Sequence, residues 1–191
     1  MCIVFLRAAF DLSKALLVML RQETGMSSAH LPVPWPPDLT PEKAPVYNFH
    51  ELYISASPAI IWHWLIYVQL WSRYNPYLSD IILLDPAATE LMLGTSFQWR
   101  RSNYTLLSTV TDYLPYARIG WRVEGLWLDG FQEWLLMEDS GGCLVRVEET
   151  LSGFVPRLLH RSMSHGLEVV QHEWLKSLRR VSENGPPPVL F

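Results

Sequence analysis

Glu149 is the carboxylate whose surroundings would give it chemistry. Val145 and Val147 share its strand face under a period of two, which turns Glu149 inward at the end of an apolar row. Desolvation makes an inward carboxyl group a general acid or base toward a bound molecule. The alternative is a structural hydrogen bond or ion pair near a cavity rim. The turn Asp139-Ser140-Gly141-Gly142 predicts a hairpin in which Trp134 faces Val147 and Gln132 faces Glu149. Glu148, on the opposite face, is expected in water. Downstream, Leu159, Met163, Leu167, Val170, Trp174, Leu178 and Val181 recur at steps of three and four and form one helical stripe. His160 and Gln171 fall beside that stripe, so they are the helix's candidates for an interior site. His160 is read as an acid-base group, with a hydrogen-bonded core histidine as the alternative. The candidate catalytic set is Glu149, Gln132 and His160.

Other chemistries lack their parts. His165, Glu168 and His172 lie on the far side of the helix from the stripe, where they face water, so no metal site is expected. Cys143 adjoins a turn without a base and is expected to be inert. Arg157, Arg161, Lys176, Arg179 and Arg180 read as a solvated face. No G-x-G-x-x-G, Walker A, H-E-x-x-H or G-x-S-x-G occurs, and no cofactor is expected.

The chain has 191 residues, of which 49% are hydrophobic and 18% charged, enough for one well-buried domain. Fifteen Lys and Arg against nineteen Asp and Glu give a net charge of −4, which argues against nucleic acid as a partner. Two cysteines, Cys2 and Cys143, make no disulfide framework and suit a reducing compartment, read as the cytoplasm. Nine Trp, eight Tyr and seven Phe exceed what packing demands, so the rings need a destination.

Residues 1–25 read as an amphipathic helix, with Arg7, Asp11, Lys14 and Arg21 on one face and no membrane-spanning run. It is expected to cover an apolar patch or to be an upstream extension; contact with a membrane surface or a homodimer is the alternative. Residues 26–46, with six prolines between Leu31 and Pro45, read as an extended linker. The domain spans 47–183, and 184–191 is a Pro-rich tail. Within the domain, Tyr47 to Ile54 predicts a strand, and Ser57-Pro58 caps a helix over 59–68. A second short helix is expected over 70–80, interrupted at Asn75-Pro76. Alternation then predicts strands at 81–84, 95–100, 104–112, 117–124, 130–137 and 144–151, and one helix over 157–182. This order describes an α+β domain whose curved antiparallel sheet wraps a long C-terminal helix. Side chains must plug or line its concavity.

The run Ile61-Trp62-His63-Trp64-Leu65-Ile66-Tyr67 through Trp71-Ser72-Arg73-Tyr74-Asn75-Pro76 resembles the "VWxxLxD…YxxWNP" signature of the polyketide cyclase/dehydrase group in the START-like (SRPBCC, Bet v 1-like) superfamily. Leu93-Gly94-Thr95, Ala117 to Trp121, Gly130 to Leu136, Gly141-Gly142-Cys143 and Glu149-Thr150-Leu151-Ser152-Gly153 continue the resemblance in order, over roughly 47–183. It implies a helix-grip fold of seven strands around a deep apolar cavity for a hydrophobic small molecule. Three positions depart from the family pattern. Tyr67 replaces its aspartate, Tyr74 its tryptophan before Asn-Pro, and Gln132 the histidine common on the sixth strand.

Strand parity turns Phe97 with Trp99, and Trp121 with Ile119 and Val123, toward the inside. The expected lining is Tyr74, Asn75, Phe97, Trp99, Tyr104, Trp121, Trp134, Met163, Gln171 and Trp174. These rings would offer flat walls to a planar guest, or else pack as core. The functional expectation is cofactor-independent cyclisation, dehydration or rearrangement of a polyketide- or terpenoid-like intermediate; the alternative is a non-catalytic carrier or sensor of a lipid or hydrophobic metabolite.

Overall fold

A computed structural model describes residues 32–188. The element order is β1 (Val46–Ile54), α1 (Pro58–Ile66), a 3-10 turn (Val68–Leu70), α2 (Trp71–Tyr74), β2 (Leu78–Leu83), β3 (Ser96–Arg101) and β4 (Tyr104–Leu114). Then come β5 (Arg118–Gly125), β6 (Leu128–Asp139), β7 (Gly142–Ser152), α3 (Phe154–Leu158) and α4 (His160–Glu183). The seven strands form one antiparallel sheet in the order β1-β7-β6-β5-β4-β3-β2, so α1 and α2 carry the chain from one edge to the other. Irregular register between Ser79 and Ile82 and between Val110 and Asp112 helps the sheet curve. Long α4 packs chiefly against β1 on the concave side. This is the expected helix-grip architecture.

Local chemistry explains most boundaries. The side chain of Ser57 accepts a hydrogen bond from the Ile60 N–H, and Pro58 occupies the first helical turn of α1. The β6–β7 hairpin has the expected register, with Gln132 opposite Glu149 and Trp134 opposite Val147. At its turn, a Cβ on Gly142 would lie 2.4 Å from the Ile54 carbonyl oxygen, so only glycine lets β1 close onto this corner.

Two helical expectations are corrected. The segment 70–80 is no helix beyond Tyr74, because Asn75 is extended ahead of Pro76 and the chain is already strand from Leu78. The C-terminal helix is divided at Leu159, whose φ of −112° and ψ of 26° turn α3 away from α4. As a result Leu159 leaves the stripe and is exposed, whereas Met163, Leu167, Val170, Trp174 and Leu178 are buried.

Part of the convex face, over β5 to β7, is also covered, which the alternation did not reveal. From residue 32 the proline-rich stretch lies on the sheet, with Leu39 buried and its carbonyl oxygen accepting from Thr150 Oγ1 at 2.8 Å. Trp35 meets the Phe131 ring edge-on at 5.6 Å. Glu148, expected in water, is therefore buried, and the Tyr47 hydroxyl donates to it at 2.9 Å. The expectation for residues 1–25 lies outside the described residues.

Glu133 sits on this covered face opposite Gly120, where a Cβ would fall 1.8 Å from its Oε2. Burial, and then repulsion from Asp112, push its carboxyl up to about 10. Arg118 stands 3.5 Å away, but its guanidinium is already paired with Asp112. The folded state thus holds a proton here that the unfolded chain loses near its ordinary 4.5, so stability falls as pH rises from that value toward about 10. Glu133→Gln should flatten this slope and raise stability at pH 8 by about 2 kcal/mol, measured by urea denaturation across the pH range.

Candidate functional site

The alternation that turns Phe97 and Trp99 inward on β3 also brings Arg101 inward, where it is 7% exposed. Its Nη1 lies 2.6 Å and 2.8 Å from the two oxygens of Glu149, which is fully buried. Gln171 Nε2 donates to the same carboxylate at 3.3 Å, and the guanidinium lies 5.5 Å from the centre of the Trp99 ring. Glu149 is thus inward, as expected, and makes the ion pair that was its structural alternative. Sequence reasoning missed Arg101; the period-two pattern through Phe97 and Trp99 was the signal that would have found it.

Arg101 forms part of the wall of a pocket of about 200 Å³ between α4, the β3–β4 turn and the ends of β6 and β7. Leu128, Leu151, Met163, Leu167 and Val170 supply its apolar lining, and Ser102, Tyr104 and Ser162 its remaining polar groups. Only Nη1 of Arg101 is engaged by acceptors among the described residues, so two further donor nitrogens remain beside the pocket. Gly166 completes the lining: a Cβ built there meets nothing within 4 Å. A glycine inside a helix costs about 1 kcal/mol relative to alanine, and here it leaves the pocket its width.

The expected aromatic lining is corrected. Phe97, Trp99, Trp121, Trp134 and Trp174 are fully buried against one another and around Trp71. Ring centres lie 4.9 Å apart for Trp71 and Trp174, 5.0 Å for Trp134 and Trp174, and 5.6 Å for Trp71 and Trp121. They fill the inner half of the concavity rather than lining it. The remaining pocket is therefore smaller than the roughly 300–1,000 Å³ of drug-sized sites.

The other candidates divide accordingly. Tyr104 and Met163 line the pocket, and Gln171 reaches it only through Glu149. Gln132 is fully buried, and both its amide atoms lack partners among the described residues, as does the Trp121 Nε1 opposite it in the β5–β6 register. Tyr74 is buried, donates to the Trp64 carbonyl oxygen at 3.3 Å and accepts from Trp174 Nε1 at 3.4 Å. Burial holds its hydroxyl well above the usual tyrosine range. Asn75 accepts from the Tyr77 N–H and is likewise outside the pocket. His160 is corrected: it opens α4 on the exposed side, because the break at Leu159 shifts the first turn of the helix away from the sheet.

A wider concavity of about 630 Å³ lies outside, between Tyr74, Pro76 and the C-terminal half of α4. Lys176, Arg179, Arg180, Glu173 and Glu183 make it an open charged groove, without the apolar enclosure that holds a hydrophobic guest. His165, Glu168 and His172 are exposed as the helical wheel predicts, with His165 Nδ1 3.8 Å from Glu168. Burial pushes the Cys143 thiol up to about 12, which leaves it a poor nucleophile. No helix among the described residues is long and apolar enough to cross a membrane.

A curved seven-stranded sheet gripping a long helix, with an apolar pocket at its mouth, defines the START/Bet v 1-like fold, and this chain has it. Among solved structures, a hypothetical protein from Helicobacter pylori superposes with a TM-score of 0.73 at 20% identity, covering 80% of this chain and 96% of that one. A START superfamily protein from Mycobacterium smegmatis gives 0.61 at 11% identity, over 72% and 97% of the two chains. The di-domain ARO/CYC StfQ from the steffimycin biosynthetic pathway gives 0.62 at 13% identity, over 73% of this chain and 51% of that one. At these identities the likeness is one of fold. No protein-family model matches the chain, and comparison with curated proteins finds no sequence match.

Proposed function

We propose that this chain binds a small hydrophobic molecule bearing a carbonyl or carboxylate head. The observation that carries the reading is the pairing of an apolar pocket with a buried arginine whose charge is balanced from behind by Glu149. The body of the guest packs on Leu128, Leu151, Met163, Leu167 and Val170, while its oxygen accepts from the free nitrogens of Arg101. Glu149 positions the guanidinium and is not itself a wall of the pocket.

Catalysis is a second reading. Arg101 beside Tyr104 is an arrangement able to polarise a bound carbonyl, as cyclisation or dehydration of a polyketide- or terpenoid-like intermediate requires. The candidate acid-base groups do not support it, since Glu149 is ion-paired, Gln132 lies outside the pocket wall and His160 is exposed. A carrier or sensor needs no such set, and binding without turnover is the function the geometry supports best.

The test fills the pocket from the helix. Gly166→Leu should weaken binding of 2-naphthoate, followed by isothermal titration calorimetry, about 30-fold or more. Gly166→Ala should raise stability by about 0.5–1 kcal/mol. Equal affinity in Gly166→Leu and the parent protein would exclude this pocket, and tighter binding of naphthalene than of naphthoate would exclude the role of Arg101.

A further inference from the structure

Beside the pocket mouth the molecule presents large apolar side chains that no internal packing explains. Leu126 and Trp127, in the β5–β6 turn, are 81% and 68% exposed, and Phe154 and Leu158, on α3, are 65% and 67% exposed. The two segments abut: the Val155 N–H donates to the Trp127 carbonyl oxygen at 3.2 Å, and a Cβ on Gly153 would fall 2.5 Å from that same oxygen. Leu159 continues the patch toward α4. Trp127 has a φ of 59°, a conformation that bulky residues rarely adopt, and it holds an indole outward there. The adjoining residues Leu128, Leu151 and Ser162 line the pocket, so patch and mouth share a border.

The charges carried by α3 and the first turns of α4 are basic. From Gly153 to Leu167 the chain contains no Asp or Glu, and it carries Arg157, His160, Arg161 and His165. All four are exposed, and neither arginine forms an ion pair among the described residues, although the whole chain has a net charge of −4. The acids that border the patch are Glu168, 3.8 Å from His165 Nδ1, and Glu124 and Asp129, which flank the β5–β6 turn; Asp129 is paired with Arg122. Tryptophan and leucine tips framed by arginines match the boundary between headgroups and acyl chains in an anionic lipid layer.

We infer that this face, formed by the β5–β6 turn, α3 and the first turns of α4, docks onto anionic lipid surfaces and thereby places the pocket mouth against the bilayer. The inference rests on the proposed binding of a hydrophobic molecule, which such a surface would supply or receive. Docking itself is measured without that ligand, so the two readings fail separately.

The experiment is flotation of the full chain with vesicles of phosphatidylcholine alone and of phosphatidylcholine containing about one third phosphatidylserine. The chain should float with the second set, and binding should weaken as salt is raised through screening of the arginines. Trp127→Ser with Leu158→Glu, and separately Arg157→Glu with Arg161→Glu, should each lower the partition coefficient about tenfold or more. A urea-denaturation slope equal to the parent's would show that both variants are folded. Undiminished flotation of both would overturn the proposal. So would sedimentation velocity showing that the patch variants abolish self-association while vesicle binding persists, because the occupant of the face would then be a second copy of the chain.

Discussion

Replacing Arg101 with methionine should destabilise the domain by about 3–5 kcal/mol, because it leaves the fully buried Glu149 without its counter-charge. Gln171 offers that carboxylate one neutral donor at 3.3 Å, far less than a guanidinium reaching both oxygens. A double variant, Arg101→Met with Glu149→Leu, should recover most of the loss, since well-packed apolar residues often replace a buried pair at little cost. Urea denaturation checks this through the midpoint, provided the slope is unchanged. The double variant should also lose the preference for naphthoate over naphthalene, separating the pair's role in recognition from its role in stability. A single Arg101→Met variant as stable as the parent would show that the pair does not hold the interior together.

Trp174→Ala should cost about 3–5 kcal/mol as well, by a different route. Its ring lies within 6 Å of the Trp71, Trp99 and Trp134 ring centres, and its indole N–H donates to Tyr74, so truncation removes the centre of the aromatic cluster. The vacated space would join the concavity that the tryptophans now fill. Indole at millimolar concentration should then raise the melting temperature of the variant and leave that of the parent unchanged. If neither the loss nor the rescue is seen, the cluster is not the solid interior described.

Much of this was legible in the sequence, for physical reasons that vary by element. The β6–β7 register could be read because the four-residue turn fixes every pair above it, Gln132 with Glu149 included. The cap at Ser57 and the inward parity of Phe97, Trp99 and Trp121 follow from equally local rules. Whether those rings line a cavity or close it is a question of summed volume across strands far apart in sequence, which periodicity does not address. The burial of Glu148 is hidden for a related reason: alternation identifies the two faces of a strand but not the segment that covers the outer one. Arg101 was legible and overlooked, since an arginine at the inward position of a strand looks like an error in the pattern until its partner is found.

The strand order also bears on how the protein is made. Val46 in the first strand pairs with Leu151 in the last, about a hundred residues later. While the ribosome is still extending the chain, β1 has no neighbour among the other described strands until β7, and its inward Val46, Leu52 and Ile54 must wait until that strand emerges. Closure of the sheet is therefore a late event of biosynthesis, and a nascent chain stalled before β7 would present a bare strand to chaperones.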